Sequence, residues 1–137
     1  MAYIQLKDIR IAGIATAVPK QTINNKDLIA EFGEKRINRF IRTTGVLERR
    51  VASEYQTASD LGVAATEELF KKKGIDKKTI GALVFASHGP DYKRPATAHV
   101  IQKRLELSEQ CACFDISLGC SAFVYGIQIL GGLMQTS

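Results

Sequence analysis

The stretch FDISLGCSAFVYGIQIL, residues 114–130, sets a cysteine between two different hydrophobic rhythms. Phe114 and Ile116 alternate as on a strand, whereas the run from Ala122 is apolar over helix length. Cys120 stands at the joint, with Gly119, Ser121 and Ala122 as its small neighbours. A thiol that opens a helix faces amide N–H groups with no intrahelical partner and the positive end of the helix dipole. Both favour the thiolate, the form a nucleophile needs. Gly119 is expected to permit a sharp turn, and Ser121 and Ala122 to leave room for a substrate carbonyl. Two alternatives stay open on this pattern alone: a nucleophile, or one more small buried hydrophobe.

Working outward, Cys111 to Ser117 reads as a strand, with Cys111 and Cys113 as core residues within it. Ile80 to Ala86 is a continuous apolar run of strand length, suited to burial on both faces. A helix from about Ala96 to Leu105 joins the two. Upstream, Thr57 or Ser59 caps a helix whose face is Leu61, Ala64, Ala65, Leu69 and Phe70, with Gly74 as its stop. Nearer the start, Ile9, Ile11 and Ile14 predict a strand ending before Pro19. Asn24-Asn25 then caps a short helix closed by Gly33. Residues 34–42 predict a basic helical turn, Thr43-Thr44-Gly45 a turn, and Val46 to Ala52 an extended segment. Strands and helices alternate, which predicts an α/β domain on a mixed, mostly parallel sheet with layered helices. One domain spanning 1–137 is expected. The final helix is apolar nearly all round and must be covered, so the chain is expected to be truncated before its last covering elements.

The 137 residues are 45% hydrophobic and 24% charged, an ordinary globular composition that excludes a disordered chain. MAYIQLKDIR has no apolar core of a secretory leader, and no run reaches the roughly 20 apolar residues of a membrane span. A cytoplasmic protein with no membrane association is expected. Three cysteines leave an odd thiol and no disulfide framework. Cys-x-Cys is not the usual ligand gap and no histidine lies close by, so no metal is expected. The net charge of +5 comes from scattered Lys and Arg. Those at 36–50 suit an acidic partner, while Lys71 to Lys73 read as a solvated helix face. No aromatic-interleaved platform accompanies the charge, so nucleic acid is not an expected partner.

The strand–Cys–helix arrangement is analogous to the serine elbow of α/β hydrolases, although G-x-S-x-G is absent. Five blocks carry a closer resemblance: GIATAVPKQTINNKDL (13–28), RTTGVLERRVA (42–52), TASDLGVAATEEL (57–69), LVFASHGPDYKRPATAHVIQKRL (83–105) and ACFDISLGCSAFVYGI (112–127). In this order they resemble the N-terminal half of the β-ketoacyl-[acyl-carrier-protein] synthase III family, of the thiolase fold. The resemblance implies that Cys120 is the acylated nucleophile. It implies loading from acyl-CoA, or from an acyl carrier protein, and condensation with malonyl-acyl carrier protein by a decarboxylative Claisen reaction. It implies no bound cofactor, acyl carrier protein as partner, and a homodimer joined near the strand at 111–117. The family's histidine and asparagine lie in its C-terminal half, absent from this chain. His88, in the loop after the strand at 80–86, and His99, in the following helix, match no family site and are expected to be structural. The fragment alone is expected to be inert in condensation.

Two departures bear on substrate. In RFIRTTGVLERR, Arg39 stands where the family has a tryptophan that stacks on the CoA adenine, and Thr43 where it has an arginine. A guanidinium at Arg39 also stacks on aromatic planes, so both residues are carried as candidate CoA contacts. In PDYKRPATA, Arg94 falls where relatives place a side chain lining the acyl tunnel. A cation is a poor floor for an alkyl chain, so either Arg94 turns outward or the acyl group is short or polar. Within the same fold, the alternatives are a non-catalytic partner subunit, against which the intact Cys120 argues, and a thioester enzyme such as a hydroxymethylglutaryl-CoA synthase or a degradative thiolase.

Overall fold

The computed structural model describes residues 5–136. Residues 1–4 of the MAYIQLKDIR opening and the last residue of the apolar tail therefore lie outside the described residues. The chain divides into two compact units, one of residues 17–57 and one that combines the N-terminal segment up to Thr16 with everything from Ala58 on.

The smaller unit is an antiparallel ribbon with a helical corner. Strand β1 (Gln21–Asn24) pairs with β2 (Glu48–Val51), Gln21 opposite Val51 and Asn24 opposite Glu48. Asn24 then caps a 3-10 turn (Asn25–Leu28), its side chain accepting from the Lys26 amide. Helix α1 (Ile29–Phe32) follows and closes at Gly33, as the Asn/Gly punctuation predicts. Helix α2 (Glu34–Thr44) is longer than expected. Thr43 and Thr44 belong to its last turn rather than to a separate turn, because Gly45 at φ 71 takes the left-handed stop and donates to Ile41 O at 2.8 Å. Asn25 fastens the ribbon from inside. It is 1% exposed, its amide donates to Val46 O, and its side-chain oxygen accepts from Arg49.

The larger unit holds the remaining elements. Helix α3 (Ala58–Lys73) starts directly after Thr57 and stops at Gly74. Strand β3 (Ala82–Ala86) runs parallel to β4 (Ala112–Ile116) in the register Ala82 to Ala112 and Ala86 to Ile116. Helix α4 (Thr97–Arg104) is the crossover between them. The core gathers Val63 of α3, Ile101 of α4, Leu105, Leu107 and Cys111, with Phe70, Ile80, Leu83, Phe85 and Cys113 packed against it. Cys111 thus precedes β4 rather than lying in it, and only Cys113 is a strand residue. β3 is half-buried rather than buried on both faces.

One expectation fails in this unit for a physical reason. No strand forms over Ile9 to Ile14, and Ile11 and Ile14 are 63% and 77% exposed. A strand exists through its ladder, and no described strand lies alongside to supply one. The segment is instead held by close approaches to helices. Leu6 packs so tightly on α5 (Ala122–Thr136) that a Cβ at Gly131 would sit 2.5 Å from its Cδ1. Helix α5 buries its small residues, Ala122, Gly126 and Gly131, and turns Phe123, Val124, Tyr125 and Met134 outward.

Candidate active site

The two parallel strands end side by side, and the site grows from those ends. After Ala86 the ladder continues for one more bond, Ser87 N donating to Ile116 O at 3.1 Å. The chain then turns tightly at 87–89, where Ser87 Oγ donates to Gly89 O at 3.0 Å and the Gly89 amide returns a bond to Ser87 Oγ at 3.2 Å. On the neighbouring strand, β4 gives way at Ser117 to a turn that carries Cys120 and Ser121 into α5. The Ala122 amide donates to Gly119 O at 2.9 Å, and the Tyr125 amide to Ser121 O at 3.1 Å. Crevices outside the carboxyl ends of parallel strands are where α/β sheets bind ligands.

Cys120 is exposed, at a helix start, in the strand–turn–helix context expected of it. Gly119 does not use the left-handed region, so the turn does not depend on a glycine conformation as expected. Nor does close packing demand a glycine at 119. The nearest atom to the place a Cβ would occupy is His88 Nδ1, at 3.9 Å. The fold therefore brings His88 to the elbow, a neighbour that its position in the sequence did not suggest. His99 is exposed on α4, as expected.

The other two thiols have a different environment. Cys111 is buried and Cys113 half-buried, with their sulfurs 3.8 Å apart. Burial, then the hydrogen bond and charge interaction with Cys111, push the Cys113 thiol from an ordinary 9.0 up to about 12. That thiol is a poor nucleophile at neutral pH. No group of three or more His, Cys, Asp or Glu side chains among the described residues is arranged to hold a metal ion.

Of the remaining candidate residues, Arg39 and Thr43 lie four apart on α2, on one exposed face of the smaller unit. Arg39 lines a shallow basic hollow there with Lys35, Asn38 and Arg42. Arg94 is exposed in the loop before α4, in the larger unit with Cys120. That loop leads to a helix start fixed from β4: Asp115 accepts the amides of Thr97 and Ala98 at 2.7 and 2.8 Å. No local signal in the sequence announces this cap.

Comparison with known proteins agrees with the geometry. No family model matches the chain. A β-ketoacyl-[acyl-carrier-protein] synthase III of Clostridium beijerinckii is 37% identical over 131 residues, which is 96% of this chain and 40% of the relative. A crystal structure of 3-oxoacyl-(acyl-carrier protein) synthase from Burkholderia xenovorans LB400 superposes with a TM-score of 0.90 at 35% identity, over 93% of this chain and 37% of that one. The chain has the thiolase fold of these structures, and it is similar along nearly all its length to proteins named β-ketoacyl-[acyl-carrier-protein] synthase III. A structure of OleA from Xanthomonas campestris also superposes, with a TM-score of 0.86 at 25% identity, over 96% of this chain and 40% of that one. The chain spans about two fifths of the length of the synthase III relatives it matches.

Proposed function

We propose that this chain carries the acyl-accepting cysteine of a synthase III-type acyltransferase. The observation that supports it is Cys120, an exposed thiol on the turn from β4 into α5, within a chain similar along nearly all its length to synthases of that name. Cys120 takes an acyl group from acyl-CoA or from an acyl carrier protein, and the thioester is then condensed with malonyl-acyl carrier protein with loss of CO₂. Arg39 and Thr43 on the basic face of α2 contact the CoA, and exposed Arg94 turns away from the acyl group. The acting enzyme is a cytoplasmic homodimer in fatty acid biosynthesis, without a bound metal or cofactor. The 137 residues alone lack the histidine and asparagine that the synthase III resemblance implies, and are inert in condensation.

The test is intact-mass analysis of the chain after exposure to a panel of acyl thioesters. One acyl group per chain, mapped to Cys120 and lost in Cys120→Ala, supports the proposal. Acylation that persists in Cys120→Ala, or none with any thioester, overturns it.

A further inference from the structure

Helix α2 carries more positive charge than its own unit answers. Residues 17–57 hold eight Lys or Arg against five Asp or Glu. Ile37 is the buried residue of α2. At about 100° per residue, Lys35, Arg39 and Arg42 fall on the opposite side of the helix. All three are exposed, and with Asn38 they line one hollow. Arg36, on the flank, is engaged over the Phe32 ring, 5.7 Å from its centroid. Among the described residues, Lys35, Arg39 and Arg42 make no ion pair and no side-chain hydrogen bond.

Like charges three and four residues apart on one helix face repel. Lys35 with Arg39, and Arg39 with Arg42, therefore weaken α2, and no ion pair among the described residues offsets this. The basic run at Lys71 to Lys73 differs, since Lys72 is paired with Glu68 at 3.0 Å. We propose that this face of α2 is a docking surface for an acidic helix of a partner protein, one with carboxylates at the same i, i+4, i+7 spacing. A rise of about 1.5 Å per residue sets Lys35 and Arg42 roughly 10 Å apart along the axis, a span that a second helix matches and a single phosphate does not. The hollow is walled by polar side chains alone, which favours carboxylates over a flat ring. Arg39 thereby meets a second kind of anion besides the CoA contact given to it above.

The carboxylates of the same unit leave the face positive. Glu48 accepts from the Asn24 side chain at 3.3 Å, on the β-ribbon. Glu34 sits in the first turn of α2, where the helix dipole favours a negative charge. A single exposed ion pair contributes little. Strength comes instead from forming several at once along two helices, and from the planar guanidinium forks of Arg39 and Arg42, which take a carboxylate through two parallel bonds.

The experiment titrates the 137-residue chain into a fluorescent helical peptide whose glutamates line one face, at low ionic strength, and follows anisotropy. Circular dichroism checks that each variant keeps the fold. The expected result is saturable binding that the triple variant Lys35→Gln, Arg39→Gln, Arg42→Gln weakens about tenfold, the effect of three exposed ion pairs together. The variant Lys71→Gln, Lys72→Gln, Lys73→Gln loses the same net charge and is expected to bind as the wild type does. Equal weakening in both variants overturns the proposal, because binding then follows net charge and not this face. So does equal affinity for a peptide of the same composition with its glutamates scattered round the helix. Displacement of the peptide by inorganic phosphate at constant ionic strength, or no binding at all, overturns it too. The docking surface does not depend on Cys120, so its failure leaves the acyl-accepting cysteine standing.

Discussion

Asp115, on β4, accepts the backbone N–H of Thr97 at 2.7 Å, and so caps a helix that begins 18 residues earlier in the chain. Its second oxygen takes the Ala98 amide at 2.8 Å. Ala96, in the capping position of α4, offers no side-chain acceptor, so the carboxylate of the neighbouring strand does its work. Thr97 in turn accepts the Asp91 amide at 3.2 Å, and Asp91 reaches the Ser59 amide. One carboxylate therefore fastens β4, α4 and the loop of Arg94. Asp115→Ala is expected to destabilise the protein by about 2 kcal/mol, the upper range for a lost helix cap. Urea unfolding checks it, and an unchanged midpoint would show that water replaces the cap at no cost.

Leu105 is fully buried at the centre of the larger unit's core. Leu105→Ala removes three carbons from a site ringed by Val63, Ile101 and Leu107. The expected loss is about 3 kcal/mol, transfer and cavity together. A loss near 1 kcal/mol in the same unfolding experiment would mean that the core collapses around the gap.

In the smaller unit the corresponding single point is Asn25. Its amide donates to Val46 O at 2.9 Å, its backbone N–H donates to Leu47 O at 2.8 Å, and its oxygen accepts from Arg49. Asn25→Ala strips both side-chain bonds and leaves the Val46 carbonyl without that donor. The expected cost is about 2 kcal/mol. Hydrogen exchange at the β1–β2 amides is the sensitive readout, and it should accelerate there while Thr97 and Ala98 stay protected.

The three thiols should separate by reactivity. Cys120 is exposed and labels first with a disulfide reagent, while buried Cys111 and proton-retaining Cys113 follow on unfolding. Cys113 also links stability to alkali. Its thiol is held near 12 in the folded chain and ionises near 9.0 once freed, so between those values the folded state binds more protons. Stability is therefore lost as pH rises through that window, and the contribution is complete below it. Cys113→Ala should flatten the fall between pH 9 and 11 in thermal unfolding; an identical slope in both proteins would refute the assignment.

Much of this was written locally. Asn24 and Asn25 before an apolar run, Gly33 and Gly74 after one, and the apolar run at 80–86 each placed an element because caps and periodicity act over a few residues. The same evidence put Cys120 at a helix start. What escaped depends on partners. Ile9 to Ile14 have strand-like composition, but a ladder requires a neighbour. The Asp115 cap spans 18 residues, and the approach of His88 to Gly119 follows only once β3 and β4 are known to lie side by side. Nor does an apolar helix disclose which side faces inward. In α5 it is the side of Ala122, Gly126 and Gly131.

That last choice has a consequence for anyone preparing the 137-residue polypeptide. Phe123, Val124 and Met134, each more than half exposed, give the solvent a greasy ridge of the sort that chaperones and detergents recognise. Recovery should drop as concentration climbs, an environment-sensitive dye such as ANS should brighten on mixing, and a trace of mild surfactant should reverse both.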